Sequence, residues 1–199
     1  MIVGIDEAGR GALAGGIFAG AVADDKNLKS VNEQLKGLIG DSKKMTEKQR
    51  EQAFEAICNT CFWGWGSSSS EEVDQLGVKK ATQLAMTRAI EILEQKKCSI
   101  ASLLIDGRDG FGFDYPSTDI VKGDEKEPCI SAASIIAKVL RDRDMIALDK
   151  VFPVYGFSSH KGYGAASHTQ TMKTHGHCKA HRITYDPLRT WLTQSQMEF

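Results

Sequence analysis

The 199-residue chain has no apolar run approaching the ~20 residues a helix needs to cross a bilayer. No secretory leader precedes its first strand-like residues, so the protein is expected in the cytoplasm and off the membrane. Charge of one sign is also missing. Lys and Arg number 25 against 26 Asp and Glu, and with a formal net charge of −1 any hold on a polyanion must come from a local patch. Residues 138–199 lean basic, an excess modest enough for an ordinary solvated surface. Paired cysteines are absent too: five cysteines and no leader argue for free thiols. Cys58-Asn59-Thr60-Cys61 lacks the second, well-spaced pair that a zinc site requires, and the histidines around Cys178 (His175, His177 and His181) read as exposed loop residues. What remains is 41% hydrophobic residues, enough for one sizeable core.

The chemistry concentrates in Gly4-Ile5-Asp6-Glu7-Ala8-Gly9-Arg10-Gly11. Ile2, Val3 and Ile5 read as a strand, and neighbouring strand residues point to opposite faces. For Asp6 and Glu7 to share a site, the strand should therefore end at them. Gly9 and Gly11 would then allow a tight loop whose amides approach a ligand, with Arg10 as a planar cationic donor between them. Adjacent carboxylates beside such a loop suggest a divalent metal on one side and phosphate on the other. An acidic strand end with an ordinary turn is the plainer alternative. A dinucleotide-binding turn fits less well. Gly9, Gly11 and Gly15 are one residue too widely spaced, Ile17–Val22 reads as another strand where a helix should follow, and the two acids would repel a pyrophosphate.

Further along, Thr46 and Gln49 form a capping-box pattern for a helix from about Glu47 to Cys58 that buries Ala53, Phe54 and Ile57. The lysines of Asp41-Ser42-Lys43-Lys44 thus stand just before a helix start. Phe62–Gly66 reads as a strand and Ser67–Ser70 as a polar link. Apolar spacing predicts an amphipathic helix over Val78–Lys96. Ala101–Ile105 is a short buried-type strand ending in Asp106-Gly107, which repeats the logic of Asp6. Arg108–Pro116 should be a loop and Thr118–Val121 an edge-type strand leading to Lys122-Gly123-Asp124. A helix is predicted over Pro128–Lys150, with Asp142 and Asp144, flanked by Arg141 and Arg143, as a surface charge cluster. His160-Lys161-Gly162-Tyr163-Gly164 is a glycine-spaced loop with an aromatic suited to stacking on a sugar or base, or to anchoring the loop. The tail through Leu188 and Trp191 reads as a short helix.

The octapeptide closely resembles the signature of type 2 ribonuclease H (ribonuclease HII). Further blocks of that family follow in its order: Asp41-Ser42-Lys43-Lys44, Ile105-Asp106-Gly107, Lys122-Gly123-Asp124, Ser131–Val139 and His160–Gly164. The resemblance spans roughly residues 2 to 190. It implies an α/β fold, a ribonuclease H-like mixed β-sheet flanked by helices with a small helical C-terminal region. The whole chain, 1–199, would be a single catalytic domain whose part from about 155 binds substrate. It implies a metal-dependent endonuclease that cuts the RNA strand of RNA–DNA hybrids, and 5′ of ribonucleotides embedded in duplex DNA, to leave 3′-hydroxyl and 5′-phosphate ends. Such an activity removes RNA primers and misincorporated ribonucleotides.

Carried over residue by residue, Asp6, Glu7, Asp106 and Asp124 are the catalytic acids. Four carboxylates would repel without cations, and their oxygen-only donors select Mg2+ or Mn2+, with two ions expected. The backbone of Gly9-Arg10-Gly11 would read the 2′-hydroxyl, Lys43 and Lys44 would hold the substrate backbone, and Tyr163 would lie near the sugar at the RNA–DNA junction. The chain departs from the family at Ala12, usually proline, and at Ala165, usually threonine, which puts fine positioning in question. A monomer is expected, and a replication clamp as partner cannot be read from the sequence. Competing classes would betray themselves simply: a nicotinamide-dependent oxidoreductase would bind its dinucleotide without metal, and a non-catalytic hybrid-binding protein would lack one of the acids. Type 3 ribonuclease H usually lacks Gly-Arg-Gly and adds an N-terminal domain that a chain starting at Met1 is not expected to hold.

Overall fold

The computed structural model describes residues 1–35, 39 and 45–197, with side chains as far as residue 194. In chain order, β1 (Ile2–Ala8) and β2 (Ile17–Asp24) lead to α1 (Lys26–Gln34) and α2 (Glu47–Thr60). Then come β3 (Trp63–Ser68), α3 (Ser70–Leu76), α4 (Val78–Gln95), β4 (Ser102–Asp106), β5 (Ser117–Ile120) and α5 (Pro128–Val151). α6 (Phe157–His160), α7 (Ala166–His175) and α8 (Leu188–Met197) follow.

The five strands form one sheet in the order β3-β2-β1-β4-β5. β1, β2 and β3 pair antiparallel, whereas β4 and β5 add in parallel to β1. Parallel strands need covered faces, and both are covered. On one side Val3, Ile5, Ile17, Ala19 and Ile105 meet Ala81, Ala85, Ala89 and Leu93 of α4. On the other, Val22 and Leu104 join the apolar faces of α2 and α5. Helix α5 lies hard on the sheet, because a Cβ on Gly4 would come within 2.3 Å of the Cys129 backbone and one on Gly20 within 2.3 Å of the Ala133 carbonyl. That close approach draws the start of α5 down onto the middle of the sheet. A third cluster joins Leu13 and Ala14 to Met145, Tyr155, Phe157, Met172 and Leu188, so the loop after β1 is packed into the C-terminal helices.

This is the expected mixed sheet with flanking helices and a helical C-terminal region. The Thr46–Gln49 capping box is present at the start of α2. Two local readings change. Ser67 and Ser68 belong to β3, while Ser69 caps α3 through a second capping box with Glu72 rather than forming part of a link. β1 does not end at its acids but runs on to Ala8. Among the described residues no helix is long and apolar enough to cross a membrane.

Candidate active site

β1 is paired with β4 only as far as Ile5↔Ile105. Beyond that point each strand keeps its other neighbour: β1 stays with β2 to Ala8↔Phe18, and β4 stays with β5 to Asp106↔Ile120. The sheet therefore splits at the carboxyl ends of two parallel strands, the position where open α/β sheets take ligands. A cleft of about 400 Å3 opens there, lined by Asp6, Glu7, Gly9, Asp106, Asp124 and Tyr163 together with Arg50, Ser134 and Lys138. The split also explains how adjacent strand residues share one site without the strand ending. A gap in the sheet can be reached from both faces, so the alternation that separates Asp6 from Glu7 elsewhere does not separate them here.

Asp6 and Asp124 are buried, at 6% and 3% exposure. Asp124 lies in a 3-10 turn, Gly123–Glu125, immediately before α5. The turn is tied to β4 by the Gly123 N–H, which donates to Asp106 Oδ1 at 2.6 Å. The Glu7 N–H likewise donates to Asp6 Oδ1 at 2.7 Å. Each aspartate thus spends one oxygen on the backbone, which fixes its rotamer and leaves the other for a ligand. Burial, then the charges of Glu7 and Asp106, raise the Asp6 carboxyl well above its ordinary range. Burial also lifts Glu7 to about 7 against the pull of Arg10. Among the described residues, no three such groups stand close enough to ligate one ion as placed. The donor set nonetheless suits hard divalent cations, being all carboxylate and partly desolvated.

Arg10 faces the acids: its Nη1 lies 3.5 Å from Glu7 Oε1 and 2.5 Å from Asp109 Oδ2. Its side chain is thus engaged by the protein, and Asp109, which was read only as loop, is its nearest carboxylate. Gly9 and Gly11 differ sharply. Gly9 has φ +99°, and a Cβ there would come within 2.1 Å of Arg141 Nε, whereas a Cβ on Gly11 meets nothing within 4 Å. Gly9 is fixed by packing, and Gly11 leaves its backbone open to an incoming molecule. At Ala12 the N–H donates to the Gly9 carbonyl at 3.2 Å, a bond that proline could not make. Lys43 and Lys44 lie outside the described residues.

The loop from Gly9 to Gly16 is held by two arginines that no local pattern marks out. Arg141, expected on a surface, is fully buried, and so is Arg182. Arg141 donates to the carbonyls of Gly16, Ala14 and Lys161, and its guanidinium carbon lies 5.0 Å from the centre of the Tyr163 ring. Arg182 donates twice to the Gly15 carbonyl and once to that of Arg10. Burial holds both guanidinium groups below the ordinary arginine pKa. The second loop, His160–Gly164, is joined to the first through the Gly162 carbonyl, which accepts from the Leu13 and Ala14 amides at 2.8 and 3.3 Å. His181, expected in an exposed loop, is buried and bonded to His168, while His175 and His177 are exposed as expected.

Residues 3–187 match the family described as Ribonuclease HII. A ribonuclease HII of Polynucleobacter asymbioticus is 44% identical over 196 residues, covering 98% of this chain and 97% of the relative. The fold is similar to that of the ribonuclease HII in a complex with PCNA from Archaeoglobus fulgidus, with a TM-score of 0.75 at 25% identity over 94% of this chain and 95% of that one. It is similar as well to Bst RNase HIII in complex with Mn2+, with a TM-score of 0.73 at 16% identity over 98% of this chain and 70% of the other, a likeness of fold. A split parallel sheet with four acids at the split, the motif order and a match over nearly the whole length converge on one conclusion: the chain belongs to the ribonuclease HII family.

Proposed function

We propose that Asp6, Glu7, Asp106 and Asp124 hold two divalent cations, Mg2+ or Mn2+, and that the cleft they line cuts a phosphodiester on the 5′ side of a ribonucleotide. The family's activity, endonucleolytic cleavage of the RNA strand of RNA–DNA hybrids, is this chain's activity. One observation carries the assignment of residues: Asp6 is buried among three other carboxylates brought from β1, β4 and the turn before α5, with its proton affinity raised by that burial and then by their charge. Keeping such a cluster costs stability unless cations occupy it in the working state. When bound, two such ions supply an activated water and stabilise the leaving 3′ oxygen.

The protein's own groups do the rest. Arg10, held by Glu7 and Asp109, limits how far Glu7 can swing. Lys138 and Arg50 line the cleft with positive charge where a substrate phosphate would enter. Lys43 and Lys44 remain assigned to the substrate backbone. The open backbone of Gly9-Arg10-Gly11 is suited to donate to a 2′-hydroxyl, and Tyr163, 39% exposed at the cleft, offers a ring to the sugar. One copy of the chain suffices for this chemistry, met in the cytoplasm. The PCNA complex of the Archaeoglobus neighbour supports a clamp as a further partner.

The test is a duplex DNA with one embedded ribonucleotide, incubated with the protein in Mg2+, in Mn2+ and in chelator. The expected product is a single cut 5′ of the ribonucleotide with a 3′-hydroxyl end, in the metal-containing reactions alone. A cut on the 3′ side, or equal cutting in chelator, overturns the assignment.

A further inference from the structure

Behind the Tyr163 loop lie three imidazoles that the proposed chemistry does not use. His160 and His168 stack with ring centres 4.3 Å apart, and His168 Nε2 meets His181 Nε2 at 3.1 Å. His168 and His181 are buried, at 0% and 2% exposure. Two ring nitrogens at hydrogen-bond distance need one proton between them, so the backbone contacts decide where it sits.

The Cys178 N–H donates to His181 Nδ1 at 3.0 Å. In the neutral ring the proton of His181 is therefore on Nε2, and it points at His168 Nε2, which must accept. His168 is then left with its proton on Nδ1, 2.8 Å from the Tyr163 carbonyl. Each contact agrees with its neighbours only if both rings are neutral and their tautomers are opposite. An added proton on His168 would set N–H against N–H in a buried contact and force the pair apart. His160 follows the same rule, accepting from the Gly162 N–H at Nδ1 and donating from Nε2 to the Tyr155 carbonyl.

We propose that His168 and His181 are positioning residues: a neutral two-histidine relay that runs from the Cys178 amide to the Tyr163 carbonyl and holds the Tyr163 ring at the cleft. The proposal rests on the assignment of Tyr163 to the substrate sugar. Its surroundings favour the neutral pair. Stacked His160, the Cys178 thiol 3.2 Å from His181 Nδ1, and the Tyr155 and Phe157 rings pack against it. On the solvent side His181 borders a cavity that also carries Glu71, Asp74, His177 and Lys179. Asp149 is the carboxylate that faces His160, and Arg141 stands over the far face of the loop at Tyr163. Burial and the neighbouring imidazoles depress the pKa of both relay members, that of His181 to about 4.

Nitrogen-15 NMR of the imidazoles in the full chain reads the relay directly. At pH 7 the expected spectrum has His181 as the Nε2–H tautomer and His168 as the rarer Nδ1–H tautomer, both neutral. A protonated ring at pH 7, or His168 as the Nε2–H form, overturns the relay whether or not the enzyme cuts RNA. The kinetic arm uses duplex DNA with one ribonucleotide. Removing the donor to the Tyr163 carbonyl in His168→Leu should raise KM about tenfold, the worth of one buried hydrogen bond, and leave kcat within about twofold. His181→Gln keeps a donor toward His168 and an acceptor for the Cys178 amide, and should retain the wild-type KM. In a Tyr163→Ala background, His168→Leu should change KM by no more than about twofold, because coupled residues are not additive. Full additivity overturns the positioning role and leaves the NMR result standing. If Tyr163→Ala alone does not alter KM, the sugar assignment of Tyr163 fails and the proposal fails with it. If His168→Leu does not fold, His181→Gln and the wild-type spectrum decide.

Discussion

Asp6 and Arg182 are both buried charges near the loop that follows β1, yet the protein treats them in opposite ways. Arg182 makes three hydrogen bonds to two carbonyls, and Arg141 bonds to three carbonyls of the two loops. Among the described residues neither forms an ion pair with an acid; both guanidinium groups bond to backbone carbonyls. Asp6, in contrast, has one backbone amide and is surrounded by more acids. Apart from Arg141 Nη1, the buried cations are spent on backbone carbonyls, whereas the buried anions crowd one another. The difference separates what holds the site from what works in it: the arginines fix where the loops lie, and the carboxylates keep an affinity for cations because they crowd one another in a partly desolvated cleft.

The sharpest way to break that comparison is to take one charge from each side. Asp106→Asn keeps an oxygen for the Gly123 amide and nearly the same volume, so the fold should survive. Loss of a ligand charge should cost cleavage roughly a thousandfold or more, with hybrid binding retained in a filter or fluorescence assay. Near-normal cleavage in Mg2+ would remove Asp106 from the reacting set. Arg182→Met does the reverse: the acids are untouched, but the Gly15 carbonyl loses its two guanidinium bonds inside the protein. Urea unfolding should show a loss on the order of 3 kcal/mol. A variant as stable as the wild type would mean that the arginine does not hold the loop.

Acid should expose the same contrast with both signs at once. His181 has its folded pKa lowered from 6.5 to about 4. Its contribution is complete above pH 6.5 and is lost as pH falls toward 4, by about 3 kcal/mol for a shift of this size. Glu7 is shifted the other way, from 4.5 to about 7. In metal-free protein its charge penalty is full above pH 7 and is relieved as pH falls toward 4.5, so the two trends oppose each other across the same window. Wild-type protein in chelator should therefore lose less in melting temperature between pH 7 and 5 than a variant that lacks the Glu7 carboxyl. Glu7→Gln removes that residue's share of the opposing trend, and its melting temperature should fall more steeply with acid over that range. Parallel curves for the two proteins would show that the buried acid is not strained.

The strands and the long helices could be read from the sequence because their signals are local, β-branched runs and helical spacing. Asp6, Glu7 and Asp106 stand out as acids closing apolar strands, whereas Asp124, in a turn before α5, is singled out only by the family resemblance. The second capping box was equally local. Ser69 and Glu72 stand in the same relation as Thr46 and Gln49, but a run of serines hid them. What could not be read was long-range. Arg141 meets carbonyls 125 and 127 residues before it, and Arg182 meets one 167 residues before it. No spacing rule marks an arginine whose partners are backbone atoms on a distant loop. The sharing of one cleft by Asp6 and Glu7 had the same origin. It depends on where β4 stops pairing with β1, which is a property of the sheet and not of the octapeptide.

The smallest effect concerns the join between the two loops and turns on Ala165. This residue is the N-cap of α7, with extended backbone angles and no side chain to accept from the exposed amides of the first turn. A threonine hydroxyl at such a position accepts one of those amides and typically adds about 0.5–2 kcal/mol. Ala165 also follows Tyr163 and Gly164 directly, and its N–H donates to the Tyr163 carbonyl at 2.8 Å, so a firmer helix start bears on the carbonyl that His168 holds. Ala165→Thr should raise the melting temperature by a few degrees, as expected for about 1 kcal/mol in a domain of this size. It should also lower KM slightly for a duplex with one ribonucleotide while leaving kcat alone. Stabilisation without any change in KM would make the cap a matter of the helix only, and would separate the stability of α7 from the placement of Tyr163. If the variant were no more stable, the first turn of α7 would already be satisfied in another way, and the residue's departure from the family pattern would carry no energetic cost.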